Sequence, residues 1–240
     1  AGARALAAGA AQPCRSCQLA GDRLSLTNEG TITLNLSGGT ESIRIEGDRG
    51  TNPGPDASRQ HFFYGFTKLH KDISFIRKPT IAMIQGFCVG GGASVATHCD
   101  LRIAAENARF AIPPAKLGLA YRWEDIYPLV QLIGPTFARE ILYTGRLFTA
   151  AEALQMGLVN RVVPTGELES YVADYASTIA GNAPLTVHAI KQTIQETLKD
   201  PQDRNLASIE ELVQACFASD DYREGRAAFM EKRKPKFKGR

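Results

Sequence analysis

Lys78-Pro79-Thr80-Ile81-Ala82-Met83-Ile84-Gln85-Gly86-Phe87-Cys88-Val89-Gly90-Gly91-Gly92-Ala93-Ser94 is a short apolar run that ends in three adjacent glycines. A run of this kind, opened by Pro79 and closed by glycine, predicts a buried strand over Thr80–Phe87 and a helix from Gly91 to Cys99. Glycines at a strand-to-helix junction let bare backbone come close to something else. The first N–H groups of the new helix have no intrahelical partner, and the helix dipole favours negative charge there. The junction therefore reads as a site for an oxyanion; the competing reading is close packing of helix on sheet. No Gly-Lys-Ser/Thr follows and the G-x-G-x-x-G spacing is absent, which excludes a P-loop and a dinucleotide fingerprint.

Outward from the junction, strand and helix signals alternate. Leu24–Leu36 predicts two strands around Asn28-Glu29-Gly30, and Glu41–Glu46 a third. Residues 47–58 form a loop, and His61–Ile76 carries apolar residues at helical spacing. Strands are expected at Leu101–Ala104, Ala108–Ile112 and Leu158–Val163, and helices at Trp123–Ile133 and Pro135–Thr144. Thr149-Ala150-Ala151-Glu152 is a capping box whose helix Gly157 can end. Helices alone follow, over Leu168–Gly181, Pro184–Leu198, Asp203–Phe217 and from about Asp220. The pattern predicts an α/β core followed by a helical region.

The 240 residues suit one domain with a helical appendage. A hydrophobic content of 44%, a charged content of 22% and a net charge of only +3 are those of an ordinary globular chain and do not argue for nucleic acid. No apolar run has the length of a membrane-spanning helix. The basic excess gathers in Lys232–Arg240, a solvated tail or a phosphate-contacting one. The 5 cysteines and the lack of a signal-peptide pattern favour a reducing compartment. Cys14-Arg15-Ser16-Cys17 has no second pair to complete a zinc site, and no metal centre is expected. Ala1–Ala20 is Ala-rich with two arginines and no acid, so it reads as a leader-like or low-complexity segment. The expected compartment is the cytoplasm, or the mitochondrial matrix if that segment is a transit remnant.

From Lys78 to the end the chain resembles the crotonase superfamily, the enoyl-CoA hydratases and isomerases. The resemblance rests on KPTIAMIQGFCVGGG, CDLRIAAENARFAIPPAKLGL, LYTGRLFTAAEALQMGLVNRVVP, NAPLTVHAIK and FASDDYREGRAAFMEKRKPKFKG, in consistent order. It implies a crotonase-like spiral of ββα units over residues 21–182. It also implies a carboxy-terminal helical region, residues 183–240, that completes a homotrimer or a dimer of trimers. The implied substrate is an acyl-CoA thioester, with coenzyme A as part of the substrate and no separate cofactor. The family stabilises a thioester enolate with two backbone N–H groups, and the second falls on Gly91. Preorganised donors of this kind lower a barrier by about 3 to 4 kcal/mol each. Gly90 and Gly92 then line the thioester site.

The chain departs from the family pattern where the chemistry sits. Hydratases of the family carry two glutamates; here their positions hold Ser94 and Pro114. Serine is a poor base without a partner and proline transfers no proton. The family's first donor loop, Ser/Ala-Gly-Ala-Asp, has no counterpart in Asp48–Gly54, and the distance from Leu34 to Lys78 is shorter than the family's by tens of residues. The glycine-rich active-site loop is replaced by Gly118-Leu119-Ala120-Tyr121-Arg122-Trp123-Glu124-Asp125. Tyr121 falls where the methylmalonyl-CoA decarboxylase branch carries its active-site tyrosine. Arg122 is a candidate to bind an acid group on the acyl chain. Glu124 or Asp125 is a candidate relocated acid/base, with Glu124 the first choice; either also suits the first turn of a helix without any catalytic role.

The expectation is an acyl-CoA enzyme with Gly91, Tyr121 and Glu124 as catalytic groups, and Gly90, Gly92, Ser94, Pro114 and Arg122 contacting substrate. The alternatives are a decarboxylase of the methylmalonyl-CoA type and a silent acyl-CoA-binding subunit. Ser94 and His98 share a helix face, but no nucleophile elbow accompanies them, so a packed histidine is the expectation.

Overall fold

The computed structural model describes residues 73, 74 and 76–240, together with the backbones of four earlier strands. These are β1 (Cys17–Ala20), β2 (Arg23–Thr27), β3 (Gly30–Asn35) and β4 (Glu41–Gly47). Cys14, the loop Asp48–Gly54 and all of the expected helix His61–Ile76 except Ile73, Ser74 and Ile76 lie outside the described residues. The four early strands form an antiparallel meander, with Leu26 opposite Ile32 and Leu34 opposite Ile43.

The decisive run forms β5 (Thr80–Val89), ten residues long. It pairs in parallel with β4 from Glu41↔Thr80 to Gly47↔Gly86. Its other edge is divided between two neighbours. Ile81–Ile84 pair with β6 (Leu101–Ala105), whereas Phe87–Val89 pair with β7 (Arg109–Ala111). The change-over falls at Gly86, whose φ of 70° is the left-handed region that glycine adopts without a Cβ penalty. The sheet continues from β6 to β9 (Arg161–Val163), and β7 pairs with β8 (Phe148–Thr149).

Ile81, Ile84, Cys88, Ile103, Phe110 and Phe148 are buried from the sheet, and Val95, Leu129 and Ile141 from the helices. Burying each such side chain contributes about 1.5 to 3 kcal/mol, which holds the helices that follow against the sheet. These helices are α1 (Gly91–Thr97), α2 (Pro114–Leu117), α3 (Trp123–Thr144) and α4 (Ala150–Gln155). The two helices expected across 123–144 are joined end to end, and the backbone leaves the helical region at Gly134 (φ 72°, ψ 166°). Pro135 disfavours a helical residue before it and has no N–H to give, so the break falls there. The capping box is formed: Thr149 Oγ1 accepts from Glu152 N and the Glu152 carboxylate accepts from Thr149 N.

Among the boundaries that differ from expectation, three have hydrogen-bond partners that account for them. The strand expected over Leu158–Val163 is confined to Arg161–Val163. Leu158 N and Val159 N donate back to Ala153 O, and Asn160 is tied to Arg102 through both its backbone N and its side chain. The helix after the glycines stops at Thr97 because Thr97 Oγ1 and His98 Nδ1 both engage the Ser94 carbonyl. The helix expected from Asp203 begins at Leu206, where Asn205 accepts from Ser208 N as its cap.

Residues Thr80–Val172, with the strands before them, form one compact unit; Arg77–Pro79 with Ala173–Arg240 form a second. The second contains most of α5 (Leu168–Ala180), with α6 (Pro184–Thr197), α7 (Leu206–Ala218) and α8 (Asp220–Met230). Its basic tail is tied down by α8. The buried Asp221 carboxylate accepts from Lys238 N and Gly239 N, and Glu224 holds the Arg233 guanidinium and Lys236 N.

Candidate active site

The glycine junction is anchored from both sides. Gly90 N donates to Ala111 O at 2.8 Å, which continues the β5–β7 ladder up to the helix start. Gly90 has φ 57° and ψ −116°, a conformation closed to side-chain-bearing residues, and a Cβ there would meet nothing within 4 Å. The requirement for glycine at this position is therefore conformational, and it sets the direction in which α1 leaves the strand. Gly91 is the first helical residue, so its N–H has no acceptor within the helix. Gly90, Gly91 and Gly92 are all half-buried.

The other end of α1 is held by a buried cation. Arg102 is 5% exposed, and its guanidinium donates to Ala96 O, Cys99 O and Leu158 O. A positive charge against the last carbonyls of α1 complements the helix dipole and satisfies groups that the helix leaves open. Thr80 and Asp100 add a reciprocal pair. Thr80 N and Oγ1 donate to Asp100 Oδ2 at 2.6 and 2.9 Å, and Asp100 N donates to Thr80 Oγ1 at 2.9 Å. The starts of β5 and β6 are thereby locked together, and α1 is fixed at both ends.

Ser94 lies three positions beyond Gly91, which puts both on one face of the first turn. The serine is buried, and its Oγ donates to Asp125 Oδ1 at 3.4 Å. Asp125 belongs to the first turn of α3, which packs on α1. Tyr121 stands just before that turn, half-buried against the hydrophobic core. Burial, and then the negative charge of Asp125, push its hydroxyl up to about 12. Tyr121 is thus a neutral phenol close to a carboxylate. Ser94 thus meets Asp125 one helical turn from Gly91, and Tyr121 lies near the same carboxylate.

The remaining expected residues are placed differently. Glu124 and Arg122 are exposed. Adjacent helical positions diverge by about 100°, so with Asp125 turned to Ser94 its neighbour points elsewhere. Pro114 is buried as the first residue of α2, where its fixed φ suits a helix start. His98 Nδ1 contacts the backbone oxygen of Ser94, not its hydroxyl, so no Ser–His nucleophilic pair is assembled. Cys88 is buried beneath the junction and burial raises its thiol far above the ordinary range, which makes it inert. Among the described residues no group of three His, Cys, Asp or Glu side chains is gathered, and no helix is long and apolar enough to cross a membrane. Asp125 is the member that sequence reasoning placed second. Two consecutive acids at a helix start look alike until the packing face of the helix is known.

Comparison with known proteins gives a consistent picture. The pattern of the enoyl-CoA hydratase/isomerase family matches residues 49–240. The short-chain-enoyl-CoA hydratase of Clostridium acetobutylicum is 37% identical over 167 residues, 70% of this chain and 64% of that protein. The crotonyl-CoA hydratase of Syntrophomonas wolfei is 38% identical over 170 residues, 71% of this chain and 65% of that protein. The chain thus spans a little under two thirds of the length of these relatives. Among solved structures, an enoyl-CoA hydratase/isomerase family protein from Hyphomonas neptunium superimposes with a TM-score of 0.73 at 29% identity, covering 87% of this chain and 98% of that one.

Proposed function

The chain belongs to the enoyl-CoA hydratase/isomerase family, and on that premise we propose that it binds an acyl-CoA thioester and stabilises the thioester enolate with the Gly91 N–H. The observation that carries the reading is the glycine junction. Gly90 holds a backbone conformation that only glycine adopts readily, and Gly91 follows it as the first residue of a helix fixed at both ends, where the N–H has no intrahelical acceptor. A donor held in this way needs no reorganisation when charge develops on the thioester oxygen, which is where such donors contribute most. Coenzyme A enters as part of the substrate and no further cofactor is required. The reaction is of the lyase or isomerase type.

The relatives named above are hydratases, yet Ser94 and Pro114 stand at the positions of the two glutamates expected from the resemblance. A second reading, decarboxylation of a methylmalonyl-type thioester, is favoured by that replacement and by the neutral, half-buried Tyr121. It needs the oxyanion donor but no base, because the departing carbon dioxide leaves the enolate behind. Both readings share the enolate and the Gly91 donor. The exposed Ile190, Ile194, Phe217 and Phe229 of the helical unit support self-association, and a homotrimer or a dimer of trimers is the form the family resemblance implies.

The test is incubation with crotonyl-, 3-enoyl-, dienoyl- and methylmalonyl-CoA, read by mass spectrometry. Added water marks a hydratase, a rearranged product of unchanged mass an isomerase, and lost carbon dioxide a decarboxylase. Saturable binding with no turnover of any thioester identifies a silent binding subunit and overturns the enzymatic reading.

A further inference from the structure

From the placement of Ser94 and Asp125 across the α1–α3 contact, we infer that Asp125 is the catalytic base that takes a proton from the acyl chain and returns it, with Ser94 as the residue that positions its carboxylate. This rests on the enolate reading above and deepens it, because that reading leaves the proton unassigned.

Three observations converge. The Ser94 hydroxyl, on the Gly91 face of α1, reaches Asp125 Oδ1 at 3.4 Å. A contact at the long end of the hydrogen-bond range is ordinary before substrate binds and tightens in the complex. A carboxylate is thus brought to Ser94 from α3, a different element. Tyr121, half-buried just before the first turn of α3, feels the negative charge of Asp125, so a neutral hydroxyl lies near the same carboxylate. Glu124, the neighbouring acid, is exposed on another face of α3.

The step balances within the molecule. The Asp125 carboxylate takes H⁺ from the carbon next to the thioester, which in a 3-enoyl chain is also allylic. The electron pair of that C–H bond forms the enolate C=C, and the thioester π pair moves onto oxygen, against the Gly91 N–H. Asp125, now a carboxylic acid, returns the proton to the same or to the γ carbon. One carboxylate suffices for isomerisation, since the same group donates what it removed, and for exchange once the acid has traded its proton with solvent.

Butyryl-CoA in D₂O separates the proton step from any net reaction. The wild-type protein should wash deuterium into the α position, read by mass spectrometry, and Asp125→Asn should slow that exchange at least about 100-fold, within the range that general bases contribute. Butyryl-CoA affinity, read by calorimetry, should change by less than about threefold. Asp125→Glu keeps a carboxyl and should retain partial exchange, which covers the case in which the asparagine variant folds poorly. Exchange that survives in a folded Asp125→Asn variant overturns the assignment. Binding without exchange by the wild type also overturns it while leaving the acyl-CoA reading intact. No binding of butyryl-CoA overturns both.

Discussion

Ser94 Oγ and Asp125 Oδ1 face each other at 3.4 Å, one from the helix that starts at the glycine triplet and one from the first turn of the next long helix. The pair brings a carboxylate back to the neighbourhood of a position where this chain carries serine. Ser94→Ala should lower kcat by roughly tenfold with KM little changed, because a hydrogen bond to a charged group is worth about 1.5 kcal/mol. Ser94→Thr keeps the hydroxyl and should recover most of the loss. In an Asp125→Asn background the Ser94→Ala change should add almost nothing, a non-additivity that a double-mutant cycle measures.

Tyr121 is predicted to remain a neutral phenol in the folded protein through pH 10, since burial and then Asp125 push it up to about 12. An unfolded tyrosine titrates near 10, so the folded state holds its proton more tightly. The resulting stability is complete below pH 10 and is lost as pH rises toward 12, with a slope of at most about 1.4 kcal/mol per pH unit. Urea titrations between pH 9 and 12 should show that fall in the wild type and a shallower one in Tyr121→Phe. Equal slopes would show that the tyrosine is not held in its neutral form.

Arg102 should be among the most costly positions of the core to change. Its three carbonyl partners belong to buried residues and Ala96 O keeps the Cys99 N donor, so the cost of Arg102→Met falls mainly at Cys99 O and Leu158 O, at about 1 to 3 kcal/mol apiece before relaxation. The expectation is a loss of several degrees in Tm together with weaker acyl-CoA binding, because α1 loses the anchor at its far end. A variant with unchanged Tm would contradict the role assigned to this cation.

The basic tail should answer to acid through Glu224. The Arg233 guanidinium, donating at 2.6 and 2.9 Å, and Lys236 N hold the Glu224 carboxyl down to about 2. A depressed carboxyl stabilises above its ordinary value of 4.5, and the contribution is lost as pH falls toward 2. Hydrogen exchange should show the Lys236 amide losing protection in Glu224→Gln at neutral pH. The Lys238 and Gly239 amides, held by Asp221, should keep theirs.

Much of this architecture was legible in the residues. The strand-to-helix junction, the break at Gly134-Pro135 and the Thr149–Glu152 capping box each depend on local backbone chemistry, and local pattern exposes them. The end of the strand before Arg161 was not legible, because Asn160 and Leu158 are tied to partners more than fifty residues away. Which of Glu124 and Asp125 meets Ser94 was not legible for the same reason. Which acid faces α1 is decided by how α3 packs, and neither residue differs from the other in local signal. β2, β3 and β4 were readable as strand runs, whereas β1 (Cys17–Ala20) was not, because it falls in an Ala-rich stretch that reads as leader-like.

The central claim, that the Gly91 N–H holds the developing oxyanion, has a direct test in Gly91→Pro. Proline is well tolerated as the first residue of a helix, where its missing N–H has no intrahelical role. The substitution therefore removes the donor while leaving α1 in place. The account predicts a loss of about 100- to 1000-fold in turnover of whichever acyl-CoA the protein transforms, with Tm within a few degrees of wild type. A folded Gly91→Pro protein that turns over its thioester at the wild-type rate would contradict it.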